Sequence, residues 1–220
     1  MHIPPVLAQL GPDDALLDRL ALASAEFARR LRAVRPEQWH LSTPCAEWDT
    51  RQLVNHVVVG DLCYVRLLSG GTAADFERLR HVDALGPDPV DAYTRSAQQC
   101  RDAFARPGAL RQQLDYPLGP VTARQALAVR TADIAVHTWD LAQTLGADDR
   151  LDSELAAWLD THLDTIYSGL PETPAAPQDE TTHRFFAAPP QPAPGRETTP
   201  QDRLLHRTGR TPAPAAPRIT

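Results

Sequence analysis

His56, Asp133 and His137 are the residues of this chain whose types and spacing could do chemistry. Asp133 and His137 stand four apart in "RTADIAVHTWDLAQTLG", residues 130–146. On a helix, side chains at i and i+4 are neighbours about 6 Å apart and can reach one ion together. His56, in "LVNHVVVGDLCYVRLL", offers an imidazole from a second segment. Two imidazoles and a carboxylate are the ligand set of catalytic zinc sites with an open fourth position, and of non-heme iron sites. A buried Asp–His hydrogen bond would satisfy the pair without an ion. Spacing alone leaves both readings open.

The placement of these groups on their helices is what singles them out. At about 100° per residue, Arg130, Asp133, His137, Asp140 and Thr144 form one narrow stripe. Val129 and Val136 flank it on one side; Leu127, Ile134, Leu141 and Leu145 flank it on the other. The polar stripe therefore lies inside the apolar face. Buried ionisable groups are costly unless they are paired or bind a metal. His56 shows the same anomaly, projecting between Leu53, Gly60, Cys63 and Leu67. Gly60, one turn on, is expected to leave room beside it. Asp140, one turn beyond His137, would orient a ligand from behind. Arg130 is either a surface arginine or a partner for the buried acids, and is the candidate for contact with a cofactor.

The other cysteines, tryptophans and histidines read as ordinary residues. Cys63 lies seven residues from His56, roughly 10 Å along a helix axis, too far to share its ion. It reads as a buried structural cysteine, and Cys45, beside a proline, as packed rather than reactive. Trp39, Trp48 and Trp139 read as packing residues. His2, His40, His81, His162, His183 and His206 have no partner at useful spacing and are expected to face solvent.

The elements that must position the site are helices. Residues 13–35 place Leu16, Leu20, Phe27, Leu31 and Val34 at helical spacing. Asp49 with Gln52 three residues on forms a capping-box pattern, so a second helix should run over 50–69, stopped by "SGG". A loop with short helical content covers 70–87. A third helix ends at Pro107 and Gly108. A short extended piece precedes a fourth helix over about 121–145, with Gly146 as its C-cap, and a fifth follows to about 170. Eleven of the 21 prolines fall between 171 and 217. That stretch reads as extended chain packed on the bundle, except for a short helix near 200–209 announced by Thr199, Pro200 and Asp202. The expected architecture is all-α: residues 1–170 as a bundle of four long helices, and 171–220 as a proline-rich C-terminal extension.

Composition narrows the function. The chain has 220 residues, a formal charge of −6 and no lysine. With no basic block, nucleic acid is not an expected partner. No run approaches the roughly 20 apolar residues needed to span a bilayer, and the first residues lack the layout of a signal peptide. Three widely spaced cysteines make no disulfide framework, which fits a reducing cytoplasm.

Three segments carry a family likeness. "TPCAEWDTRQLVNHVVVGDLCYVRLLSGG" resembles a signature of the DinB-like metal-binding superfamily. "IAVHTWDLAQTLG" is similar to a segment of its actinobacterial branch, related to mycothiol-dependent maleylpyruvate isomerase. "PQDRLLHRTGRTP" resembles that branch's C-terminal ending. The likeness spans about residues 13–213. It implies a four-helix bundle with a divalent metal, most often zinc or nickel, with iron a further choice, on three side chains. Its first histidine matches His56, and its Glu-x-x-x-His pair matches Asp133 and His137. The acid here is Asp, one methylene shorter, so an ion must sit closer to the helix or be reached through water.

The resemblance also implies an activity. Relatives use low-molecular-weight thiols such as mycothiol. Coordination to zinc deprotonates a thiol that is otherwise mostly protonated at pH 7, and the thiolate attacks an electrophilic carbon. The expected function is thiol transfer to, or cis–trans isomerisation of, a small electrophile, by a monomer or homodimer. Two alternatives stand beside it: a metal- or ligand-binding protein without turnover, and a metal-dependent hydrolase. Arg196, Arg203 and Arg210 are candidate anion-binding groups.

Overall fold

A computed structural model describes residues 5–170, 186, 190 and 198–211. Its helices are α1 (Pro5–Ala8), α2 (Asp13–Leu31), α3 (Thr50–Leu68), α4 (Ala73–Leu79), α5 (Pro89–Ala105), α6 (Ala123–Leu145), α7 (Ser153–Ile166) and α8 (Pro200–Arg207). Strands β1 (Gln113–Tyr116) and β2 (Gly119–Thr122) form an antiparallel hairpin between α5 and α6, with Leu114 opposite Val121. The fold is all-α and DinB-like. Helices α2, α3, α5 and α6 close a four-membered ring in which α2 packs on α6 and α5, and α3 packs on α5 and α6.

Apolar spacing on each helix builds the core. Leu16, Leu20, Phe27 and Leu31 of α2 share one buried core with Tyr93, Cys100 and Phe104 of α5 and Leu53, Val57 and Leu67 of α3. Each large apolar side chain so buried contributes about 1.5–3 kcal/mol. Phe27 and Tyr93 rings lie 4.9 Å apart, and the Tyr93 hydroxyl donates to the Ser24 carbonyl at 3.0 Å.

Helix ends follow the expected chemistry. The Asp49 carboxylate accepts from the Gln52 amide at 2.8 Å, and the Gln52 side chain accepts from the Asp49 amide at 2.9 Å. This box starts α3 and fixes the register that puts His56 on its inner side. Thr122 caps α6 through the Gln125 amide, and Gly146 ends it at φ 62°, a left-handed C-cap suited to glycine. Thr199 and Asp202 form the box that starts α8. The first long helix stops at Leu31 rather than at 35, and Pro36 keeps Arg35 out of any helical extension by holding it extended at φ −86°, ψ 157°. The short extended piece is a complete hairpin.

Helix α6 is the positioning element. It is covered by α2, α3, α7 and β2, so from 123 to 142 every residue but Asp133 is buried. A helix in that position has no solvent side, which is why its polar stripe sits among apolar residues. Helix α8 lies on α7 with Leu204 and Leu205 fully buried. Apart from residues 186 and 190, the proline-rich stretches 171–197 and 212–220 lie outside the described residues.

Candidate metal centre

The two helices that carry His56 and the Asp133–His137 pair face each other. Asp133 Oδ1 lies 3.3 Å from His56 Nε2 and 3.4 Å from His137 Nε2. The imidazoles meet edge to face, centroids 4.8 Å apart, and the three donor atoms lie within 4.8 Å of one another. A tetrahedral ion with bonds of about 2.0–2.1 Å has ligand–ligand edges of about 3.3–3.4 Å. The two edges from Asp133 Oδ1 match this value, so the donor set and the spacing about Asp133 fit a divalent ion.

The supporting contacts orient each donor. His137 Nδ1 lies 2.8 Å from Asp140 Oδ2. An ionised carboxylate only accepts, so Nδ1 carries the hydrogen and the Nε2 side is turned toward Asp133. The other oxygen of Asp133 accepts from Arg130 Nη1 at 2.6 Å. The Trp48 ring packs 4.5 Å from His56 and 5.7 Å from His137, closing one side. Side-chain exposure falls from 32% at His56 and 26% at Asp133 to 7% at His137. The cluster therefore opens to solvent past the first two. A cleft of about 490 Å³ adjoins it, reached past His56 and Trp48 and edged by Asn55, Arg51, Arg80 and Asp83.

Electrostatics follow from burial and pairing. Burial lowers His56, with Asp133 opposing, and the net is a depressed value that favours the neutral imidazole. Burial also acts to lower His137, but the Asp133 carboxylate and its hydrogen bonds raise it well above the ordinary range. Asp133 is driven the other way: burial opposes its charge, yet the two imidazoles hold it well below the usual carboxylate range. Asp140, against burial, is held at about 2 by its bonds to His137 and Arg210.

Arg130 is the partner of the buried acids. It is 1% exposed, and its guanidinium bonds Asp61 at 2.8–2.9 Å, Asp133, and the Val57 carbonyl. It faces inward, committed to these groups rather than presented to a cofactor. Gly60 leaves no open room beside His56, because Arg130 fills it: a Cβ at Gly60 would lie 3.0 Å from the guanidinium carbon. Asp61 is a buried carboxylate that sequence reading overlooked. It sits on the side of α3 that faces Arg130 and also accepts from the Ser96 hydroxyl at 3.0 Å.

Two further groups at the site carried no signal in periodicity. Cys45 Sγ lies 3.3 Å from Asp140 Oδ2 and 4.0 Å from His137 Nδ1. With His137 and Asp140 it makes a second cluster of metal-ligating types. Arg210 already fills that place, donating to Asp140 Oδ2 at 2.7 Å and approaching Cys45 Sγ at 3.5 Å. The expected anion-binding arginines are thus placed otherwise. Arg210 is buried against Asp140, Arg203 pairs with Asp160 at 2.7 Å, and Arg196 lies outside the described residues. His40 and His81 are exposed as expected, while His162 and His206 are half-buried and hydrogen-bond the carbonyls of Trp158 and Pro190. His2 and His183 lie outside the described residues. Trp48 packs on the histidines themselves, and Trp39 and Trp139 pack in or against the core.

Comparison with known proteins shows the family and the fold of the chain that carries this cluster. The family model described as mycothiol maleylpyruvate isomerase N-terminal domain matches residues 20–142, the span that holds Cys45, His56, Asp133, His137 and Asp140. The uncharacterized protein Rv0738 of Mycobacterium tuberculosis strain H37Rv is 34% identical over 134 residues, 61% of this chain and 69% of the relative. The uncharacterized protein MT0763 of strain CDC 1551 aligns to the same extent. A crystal structure of the mycothiol-dependent maleylpyruvate isomerase superposes with a TM-score of 0.55 at 15% identity, over 70% of each chain. A histidine-to-alanine mutant of that enzyme gives 0.57 at 14%, again over 70% of each. At those identities the likeness is one of fold. By that matched span, more than half of its length, the chain belongs to the mycothiol maleylpyruvate isomerase N-terminal domain family.

Proposed function

We propose that this protein is a divalent-metal-dependent enzyme that activates a low-molecular-weight thiol of the mycothiol kind for thiol-dependent isomerisation of, or transfer to, a small electrophile. The observation that carries the reading is the pair of 3.3 and 3.4 Å edges from Asp133 Oδ1 to the two histidine nitrogens, with solvent access on the same side. His56 Nε2, Asp133 Oδ1 and His137 Nε2 would hold the ion, zinc being the natural choice for two imidazoles and one carboxylate. Bound there, the ion would keep a coordinated thiol in its thiolate form at neutral pH.

The chain's own residues then do the positioning. Asp140 holds the tautomer of His137, and Arg130 holds the far oxygen of Asp133. Trp48 keeps water off the histidine faces it covers, and the adjoining cleft admits the small molecules. In isomerisation the thiolate adds to one carbon of a cis double bond conjugated to a carbonyl, and the π pair moves to the carbonyl oxygen. Rotation about the resulting single bond follows. The C–S bond then breaks, returning its electron pair to sulfur as the double bond re-forms. In transfer, the thiolate displaces a leaving group or the adduct is protonated and kept. Free cysteines and a thiol co-substrate fit a cytoplasmic setting; among the described residues no helix is long and apolar enough to cross a membrane.

Hydrolysis is the weaker reading, because it needs a free base beside the ion. Asp140 is fully buried, with both oxygens bound by Arg210 and one also by His137. The test is cobalt substitution followed by addition of mycothiol. A sulfur-to-metal charge-transfer band and turnover of maleylpyruvate or another electrophile are expected. Stoichiometric metal without any spectral response to thiol would leave a metal-binding protein without this chemistry.

A further inference from the structure

Arg210 reaches the centre of the bundle from the far end of the chain, beyond the family-matched span. The turn after α8 folds it inward: its amide donates to the Leu205 carbonyl at 2.8 Å, and Nη1 to the Thr208 carbonyl at 2.6 Å. The remaining edge of the guanidinium meets Asp140 with two bonds, Nε to Oδ1 at 3.1 Å and Nη2 to Oδ2 at 2.7 Å. Asp140 is 0% exposed. The same Oδ2 receives His137 Nδ1 at 2.8 Å.

Helix α8 does not need this contact to dock. Leu204 and Leu205 are fully buried, and Arg203 and Arg207 pair with Asp160 and Asp164 of α7. What the Arg210 guanidinium adds is a fixed rotamer for Asp140. A carboxylate gripped through both oxygens cannot swing about its side-chain bonds. Its remaining acceptor direction then fixes the plane of the His137 ring.

We propose that Arg210 is a positioning residue for the metal centre, acting through Asp140 on His137, so that the C-terminal turn of the chain sets the ion's affinity. This rests on the reading of His56, Asp133 and His137 as metal ligands. Removing a group that orients a ligand histidine typically costs about 10- to 100-fold in affinity.

The test uses the full chain and two readouts. Zinc affinity is measured by chelator competition for wild type, Arg210→Ala, Arg210→Lys and Arg203→Ala, with folding followed by circular dichroism. The His137 imidazole N–H is followed by ¹H–¹⁵N NMR in metal-free protein and assigned with His137→Gln. Arg210→Ala should lose about tenfold or more in zinc affinity and broaden the imidazole signal. Arg210→Lys, with one donor group in place of the fork, should fall between. Arg203→Ala loosens only the docking of α8 and should change neither. Wild-type affinity and an intact signal in Arg210→Ala would overturn the proposal, as would equal losses in Arg203→Ala. If Arg210→Ala does not fold, Arg210→Lys at wild-type affinity with a sharp signal overturns it instead. Wild-type protein that takes up no zinc would refute the metal reading alone, since the imidazole signal still reports the grip of Arg210 on His137.

Discussion

Arg130 Nη1 donates to Asp133 Oδ2 at 2.6 Å, binding the oxygen that neither histidine approaches. The carboxylate is thereby split between two tasks. One oxygen answers a buried guanidinium, and the other completes the cluster with His56 and His137. A short Asp side chain held this way presents one oxygen at a set distance from α6.

Gly60→Ala tests whether Arg130 needs the space it occupies. The new Cβ would sit 3.0 Å from the guanidinium carbon, with Arg130 pinned by Asp61 on one side and Asp133 on the other. Overpacking of this kind costs about 1–3 kcal/mol. Urea unfolding should show that loss, and zinc affinity should fall as the Asp133 contact loosens. A variant as stable as wild type would mean that Arg130 moves freely.

The ligand assignment is tested by metal content. His56→Ala and His137→Ala should each purify with no stoichiometric metal, measured by plasma mass spectrometry. Asp133→Glu should retain it, since the longer acid still spans from α6 to the histidines. Retention of metal in His56→Ala would show the wrong donors have been chosen.

Stability should depend on pH in opposite ways with and without zinc. His137 is raised above its ordinary value in the metal-free protein, chiefly by Asp133 working against burial. That contribution is fully present below the unfolded-state value and is lost as pH rises through the folded one. A metal ligand must be neutral, so zinc gains where the proton is lost. The rise in melting temperature caused by zinc should therefore grow between pH 6 and pH 9. A constant rise across that range would separate His137 from the ion.

The three thiols should differ sharply in reactivity. Burial pushes Cys63 to about 12 and Cys100 well above the ordinary range, so both stay protonated and covered. Cys45 is half-buried beside Asp140 and Arg210. Native protein at pH 8 should label with one equivalent of a thiol reagent, and Cys45→Ser should label with none. Labelling of all three at similar rates would indicate an open core.

Local signals made much of the fold legible. The Asp49–Gln52 box, the Gly146 cap and apolar spacing place α2, α3, α5 and α6 without reference to tertiary contacts. The ligand candidates were legible for a related reason: a polar stripe inside an apolar face is a local anomaly. Arg130 could be narrowed only to two fates, since its sign of exposure depends on α3 lying opposite. Gly60 reads as empty space in one helix and is filled by a side chain from another. The contacts of Cys45 and Arg210 with Asp140 could not be read, because they span 95 and 70 residues through a loop and a turn with no periodicity.

Helix α6 is enclosed on every side from 123 to 142 save at Asp133. Nearly any altered side chain along it would collide with a neighbour or leave a void. Two of the three candidate ligands ride on this helix, so the packing around it fixes the backbone from which they project. The opposite wall, made by the α3 face beyond His56, the loop carrying Trp48 and the cleft edge near Arg80, borders open space and has room for other side chains. Substitutions on that wall would reshape the cleft without moving the backbone that carries Asp133 and His137.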